Sequence, residues 1–440
     1  MTWDRKKWSR RGLLRAAPVS LLAGGMALST LSTLANAADR VRVKISDIQT
    51  MELQGPSRTY IFVKITTDDG QFGIAEGYGI PNVGLVQQVE LLKPILVGKD
   101  PLEIDLIYTF LGEGTRALSG TRTDGSAHNQ MRLASVVDMA LWDLAGKLLG
   151  VPTTILLGGK FRDQVRVYDH SGPKDMLDKG SCREWAAKAN AHPSGFTAHK
   201  IGIPRTDVAF GNNSRRIPDF SHDPSNRQLT TKELLMIGKS FENAREAIGW
   251  DHDIMVHCHW EFNLASSIQL AKILEPMRPL WLEDPLQVDY TDSWKRLVME
   301  SPIPILAGEN TERRQEFLPF VVNQAVDIIQ PDLRNSGGFT ETTRIADMAS
   351  PYGIPVCNHN TGTPLSTVQT CQWAGSVRDY LMCETSTGDG NWIDGVLIHD
   401  GPYIDKGYIK ITDKPGLGVQ LNREVIEPRL VPGSTWWGGE

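Results

Sequence analysis

Between residues 41 and 80 apolar and polar positions alternate through VRVKISDIQTMEL and YIFVKITTDDGQFGIAEGYG. A two-residue period predicts strands with one buried face, and the Asp-Asp-Gly between alternating runs predicts a hairpin. Over residues 84–160 the period lengthens. MRLASVVDMALWDLAGKLLG repeats its apolar positions at three and four, which predicts helix. Strands followed by helices predict an α+β unit over residues 38–165.

The texture changes after VRVYDHSG. Short β-rich runs (TAHKIGI, DIMVHCHW, LWLEDPL, IPILAGEN, VDIIQPDLRNSGG, IPVCNHNTG, YLMCETS) alternate with helical patterns to about residue 395. The polar residues ending these runs, His257, Glu283, Glu309, Asp332, His359 and Glu384, recur every 23 to 27 residues. One strand, one helix and two short loops need about 20–30 residues, so the period is that of successive βα units. Such even spacing predicts an α/β fold of the TIM-like (β/α)7β barrel type over residues 166–395. One interval is long, the 57 residues from Lys200 to His257. It holds the polar PRTDVAFGNNSRRIPDFSHDPSNRQ, which reads as a loop inserted over the barrel mouth. Residues 396–440 return to strand and turn texture and are expected to pack back on the first unit.

In a barrel the carboxyl ends of the strands converge on one mouth. Lys200, His257, His259, Glu283, Glu309, Asp332, His359 and Glu384 would then share a cavity. So many ionisable groups require a cation or mutual pairing. Within MVHCHWEFN, His257 and His259 stand two apart, and in a strand such positions project from the same face. Whether they look at a metal, a substrate or each other the pattern leaves open.

Composition narrows the function classes. A formal net charge of −6, with no basic cluster beyond the first 15 residues, gives no sign of a nucleic-acid partner. Those first residues carry SRRGLL, an apolar run and Ala35-Asn36-Ala37. This is the pattern of a twin-arginine signal peptide, residues 1–37, removed on export to a bacterial periplasm. No later run is long and apolar enough to span a bilayer. Cys182, Cys258, Cys357, Cys371 and Cys383 are odd in number and irregularly spaced, and are expected to be small buried residues rather than a disulfide framework.

LWLEDP, AGEN, PDLRNSGG, NHNTG and CET, in this order, together with ALWDLAGKLLGVP and the terminal DKPGLGVQL, resemble the enolase superfamily. The subgroup they most resemble is the mandelate racemase type, particularly its sugar-acid dehydratases. The resemblance implies a barrel capped by an α+β domain built from both ends of the chain. It also implies a homo-oligomer and one divalent metal, ordinarily Mg2+, for a hydro-lyase that abstracts the proton α to a carboxylate through an enediolate. Carried onto this sequence, the metal ligands are His257, Glu283 and Glu309. The subgroup usually has Asp where this chain has His257, and imidazole suits Mn2+ or another borderline metal better than Mg2+. His359 with Asp332 matches the basic dyad, His259 the general acid, and Glu384 the acid that holds the substrate carboxylate. Lys200 survives from a Lys-x-Lys pair whose first member is here Ala198, which leaves it as a base or as a cation for the substrate carboxylate. Dehydration of an aldonate or aldarate is the expected reaction. A racemase or epimerase of a hydroxy acid, and a non-catalytic periplasmic carboxylate-binding protein, are the alternatives.

Overall fold

The computed structural model describes residues 43–55, 58–78, 84–113, 127–203, 227–385, 393–399 and 401–439. The export segment and residues 204–226 of the polar insertion lie outside them.

Strands β1 (Ile45–Gln54), β2 (Thr59–Thr67) and β3 (Phe72–Gly77) form an antiparallel sheet in that order. The β2–β3 hairpin turns at the expected Asp-Asp-Gly. Gly70 takes a positive φ of 83° and its N–H donates to Thr67 O at 3.0 Å. Such a left-handed position suits a residue without a Cβ. Helix Ala127–Leu149 covers one face of this sheet, and the Asp143 carboxylate accepts from Ile74 N at 2.8 Å. The chain's last residues return to the same sheet: Gln49 Nε2 donates to Trp437 O, and Lys64 Nζ lies 5.4 Å from the Trp437 ring centre. The cap is therefore built from both ends of the chain, as expected.

The eight barrel strands are β4 (Gln164–Tyr168), β5 (Ala198–Gly202), β6 (Asp253–His257), β7 (Leu282–Glu283), β8 (Ile305–Ala307), β9 (Ile328–Ile329), β10 (Val356–Asn358) and β11 (Tyr380–Glu384). Each of β5 to β10 pairs in parallel with the next, and β11 pairs in parallel with β4. A single parallel bridge, Asp169 to His199, joins β4 to β5 and closes the ring. Helices separate the strands until β11, which is the (β/α)7β order. The barrel axis is filled by a layer taking one residue from, or at the entry to, each strand: Tyr168, Ala198, Met255, Trp281, Leu306, Ile328, Cys357 and Met382. Ala198 belongs to this apolar layer, one step below Lys200 on the same inward face. The five cysteines are buried and free.

Cap and barrel meet through buried polar contacts. Glu76 at the end of β3 accepts from Thr363 N at 3.1 Å and Ser366 N at 3.3 Å, and lies 3.6 Å from Arg334. Helix Ala127–Leu149 approaches the start of helix Gly338–Ala349, where Thr340 N donates to Asp138 at 3.1 Å. A Cβ on Gly338, at φ 69°, would collide with that carboxylate, so the Gly-Gly of RNSGG permits the close approach. Among the described residues no helix is long and apolar enough to cross a membrane.

Candidate active site

The polar residues predicted from the strand ends come together at the barrel mouth. His257, Glu283, Glu309, Asp332, His359, Glu384 and Lys200 are all buried, and His259 is half-buried. They divide into two groups by what each polar atom touches.

The first group is fully paired. Lys200 Nζ sits 2.8 Å from Glu283 Oε1 and 2.6 Å from Glu384 Oε1. Burial alone would favour loss of its proton, but the Glu283, Glu384 and Glu309 carboxylates outweigh that and hold it firmly as a cation. Glu384 is buried too, yet Lys200 and His359 keep it ionised below the usual carboxylate range, and Asn360 N donates to its Oε2 at 3.2 Å. The Asp332 carboxylate caps the short helix Leu333–Ser336 by accepting from Arg334 N at 2.9 Å. It also takes the Arg334 guanidinium at 3.0 and 2.7 Å, a bidentate pair that keeps it ionised despite burial. Its Oδ2 lies 2.8 Å from His359 Nδ1. An Nδ1–H donated there leaves Nε2 facing Glu309 at 3.6 Å and Glu384 at 3.9 Å. Burial would lower the proton affinity of His359. The facing carboxylates and the Asp332 hydrogen bond overcome it and raise the group to about 9.

The second group is left without partners. Both ring nitrogens of His257, Asp284 Oδ2 and Glu309 Oε2 are buried with no hydrogen-bond partner. His257 Nε2 lies 3.7 Å from Glu309 Oε2 and 4.0 Å from Asp284 Oδ2, and Nδ1 lies 3.6 Å from Glu283 Oε1. Burial, then the nearby His259 and Lys200 charges, hold His257 neutral. Burial pushes Glu309 up to about 7 and Asp284 well above the ordinary range. One ligand atom each from His257, Glu283, Asp284 and Glu309 falls within 4.8 Å of the others. Orphaned lone pairs around a common point, on a neutral imidazole and carboxylates, fit a divalent cation.

His259 reaches this place by a route that strand periodicity does not describe. β6 ends at His257, and His259 and Trp260 take left-handed φ values of 52° and 57° in the turn beyond. The turn folds the His259 ring over His257, with centres 3.5 Å apart and planes 19° from parallel. The two imidazoles are thus stacked neighbours rather than two teeth of one strand face.

Four contributors escape the sequence pattern. Asp284 follows Glu283 directly, and alternation along a strand would send it outward. Arg334 orders Asp332; its signal is its place two residues on within PDLRN. Trp281 belongs to the barrel core, yet its indole N–H donates to Glu283 Oε2 at 3.2 Å. Glu76 comes from the cap, whose register against the barrel no local pattern encodes.

Known proteins share this architecture. Residues 35–158 match the mandelate racemase/muconate lactonizing enzyme N-terminal domain, and residues 184–425 match the enolase C-terminal domain-like family. The chain is 35% identical to a D-xylonate dehydratase of Haloferax volcanii, over 90% of this chain and 91% of that one. It is 28% identical to a D-mannonate dehydratase of Novosphingobium aromaticivorans, over 84% and 91% of the two chains. A crystal structure of a mandelate racemase/muconate lactonizing enzyme-like protein from Rubrobacter xylanophilus superposes with a TM-score of 0.80 at 28% identity, covering 90% of this chain and all of that one. Two matched domains and a shared barrel-and-cap architecture place this chain in the enolase superfamily, in its mandelate racemase/muconate lactonizing enzyme branch.

Proposed function

We propose that the chain is a hydro-lyase that dehydrates a sugar acid, removing the proton α to the carboxylate and the hydroxyl on the β-carbon. The observation that carries this reading over racemisation is the state of Lys200. A racemase needs a proton acceptor on each face of the α-carbon, and Lys200 is held as a cation between Glu283 and Glu384. One oriented base remains, His359, with Nε2 turned to the cavity and Nδ1 fixed by Asp332. The relatives named as xylonate, mannonate and galactonate dehydratases support the same class.

His257, Glu283, Asp284 and Glu309 are the residues that would hold a divalent cation. When bound, such a cation supplies Lewis-acid stabilisation of the substrate carboxylate as negative charge develops on it. His359 Nε2 accepts the α-proton. Against burial, the Glu309 and Glu384 carboxylates and the Asp332 hydrogen bond raise its proton affinity, and a cation held by Glu309 would lower it toward that of a base. Glu384 and Lys200 form a buried ion pair beside the carboxylate site and fix its polarity. His259, half-buried at the mouth, donates a proton to the departing hydroxyl, which leaves as water. The enol left behind becomes the 2-keto-3-deoxy acid. The intact dyad and orphaned ligand atoms favour catalysis over simple carboxylate binding.

A panel of aldonates and aldarates, D-xylonate included, offered to the purified protein with Mg2+ and Mn2+ in parallel, tests the reading. A 2-keto-3-deoxy product is expected from at least one acid. Epimerised substrate without keto acid would replace it with racemisation, and no turnover or α-proton exchange with any bound acid would leave a binding protein. Export is also proposed, on the SRRGLL motif and the following Ala35-Asn36-Ala37. Replacing Arg10 and Arg11 by lysine should leave precursor in the cytoplasm; unaltered export of that double variant would refute it.

A further inference from the structure

We infer that the acid taken by this site carries a second carboxylate at its far end, and that Arg132 and Arg58 of the cap bind it. The preferred substrate is then an aldarate rather than an aldonate. The inference rests on the reading of the chain as a sugar-acid hydro-lyase and names the class of sugar acid.

The barrel residues of the site deal with one carboxylate and the two carbons next to it. The rest of the substrate lies toward the cap. Tyr78, directly after β3, stands on that side and is half-buried. Burial, then the charges of Asp332 and Glu309, push its phenol above the ordinary range against the pull of Arg334 and Arg132. The ring is thus within electrostatic reach of the site. Two guanidiniums hold it, Arg132 at 4.5 Å and Arg334 at 5.1 Å from the ring centre.

Arg132 projects from helix Ala127–Leu149. Its Nε donates to Asn335 Oδ1 at 3.0 Å, and Asn335 Nδ2 donates to Glu309 O at 3.3 Å. One side chain therefore separates Arg132 from the backbone of Glu309. Arg58, in the turn between β1 and β2, donates from Nη1 to Thr361 O at 3.4 Å. Thr361 is two residues past His359. Both cap arginines thus meet the loops that carry the catalytic groups.

What distinguishes these two cations is their lack of acidic partners. Lys200 is matched by Glu283 and Glu384, and Arg334 by Asp332. Among the described residues neither Arg58 nor Arg132 forms an ion pair. They meet only a backbone carbonyl, an amide oxygen and an aromatic face. The two Nη groups of Arg132 make no hydrogen bond among the described residues, which leaves the planar fork that fits a carboxylate. An aldonate brings a hydroxymethyl group to this end and neutralises neither cation. A site that pairs its polar groups with a substrate carboxylate discriminates against the acid that lacks it.

Matched acids test this on the full chain with Mg2+ and Mn2+ in parallel: galactarate against galactonate, glucarate against gluconate, xylarate against xylonate. In the best pair the parent should favour the diacid by at least about 10-fold in kcat/KM. Arg132→Gln should lower kcat/KM and calorimetric affinity for the diacid by about 10–100-fold, the loss of a charge-assisted hydrogen bond, and so shrink that preference. Arg58→Gln should shrink it in the same sense, so the result does not hang on one variant folding. Equal losses for both members of a pair, as from guanidiniums that only tie cap to barrel, would overturn the assignment. So would a parent that prefers the aldonate; the hydro-lyase reading survives either outcome. A parent that turns over none of these acids overturns that reading instead. Calorimetry then decides the inference alone, which stands if the parent binds a diacid more tightly than its aldonate and Arg132→Gln does not, and falls otherwise.

Discussion

The two sides of the barrel mouth solve opposite problems with the same kinds of residue. Around Asp332, Arg334, His359, Glu384 and Lys200, every charge meets an opposite charge at 2.6–3.0 Å or a specific hydrogen bond. Around His257, Asp284 and Glu309, buried polar atoms are left unmatched. Isolated buried charge is costly, so the second side is driven toward neutral forms, with the proton affinity of His257 lowered and that of Glu309 and Asp284 raised, whereas the first keeps its charges in matched pairs. The comparison separates residues that keep the fold from residues that the fold must tolerate.

Variants that cut across this division should show it most clearly in activity. Glu309→Gln is expected to abolish cation-dependent turnover while leaving the metal-free protein as stable as the parent or more so, because it removes an unmatched buried carboxyl. Turnover assays and denaturant melts with a chelator measure both. Destabilisation by more than about 1 kcal/mol would show that Glu309 is not an unmatched charge. His359→Asn, on the paired side, should lower kcat by roughly 100–10,000-fold and abolish exchange of the α-proton with deuterated solvent. His259→Asn should cost about 100-fold in product yet retain that exchange, since abstraction needs no acid. Equal loss of exchange in the two histidine variants would remove the acid role from His259.

Stability should answer in the reverse sense. Arg334→Met leaves Asp332 buried without its guanidinium and is expected to cost about 3–5 kcal/mol in chemical denaturation, with or without added metal. A cost under about 1 kcal/mol would mean that Asp332 finds another partner. The pH dependence is smaller. His359 is raised from 6.5 to about 9 and Glu309 from 4.5 to about 7. The folded chain therefore holds both protons longer than the unfolded chain. His359's contribution is complete below pH 6.5 and lost as the pH rises through about 9; Glu309's declines from pH 4.5 through about 7. With chelator present the denaturation midpoint should fall as pH rises between 5 and 9, and fall less in Glu309→Gln. A midpoint that rises over that window would mean that the folded chain releases these protons before the unfolded chain does.

The same division governs how much the sequence disclosed. The βα period, the hairpin at Asp68-Asp69-Gly70 and the strand-ending polar residues were readable, because each depends on spacing along one element. What could not be read depends on departures from spacing. Asp284 enters the cavity through a left-handed turn before a proline, and His259 folds over His257 after β6 has ended. Periodicity sends the first outward and misdescribes the second. Glu76 matters through Thr363, 287 residues away in the chain, and a linear pattern carries no trace of such a pairing. Trp281 and Arg334 act on carboxylates two residues away, a spacing that by itself marks no function.

The Asp169–His199 bridge has a consequence for how the chain assembles. Beyond this bridge, β4 takes its parallel partner from β11, more than 200 positions later in the chain. Until Tyr380–Glu384 has been synthesised, β4 can meet β5 only along this short seam, and the barrel stays an open sheet with two raw edges. Closure must then await the end of the catalytic region, because its last strand supplies the missing edge at high loop-closure cost. A chain stopped before residue 380 should accumulate as an aggregation-prone open sheet rather than as a smaller barrel.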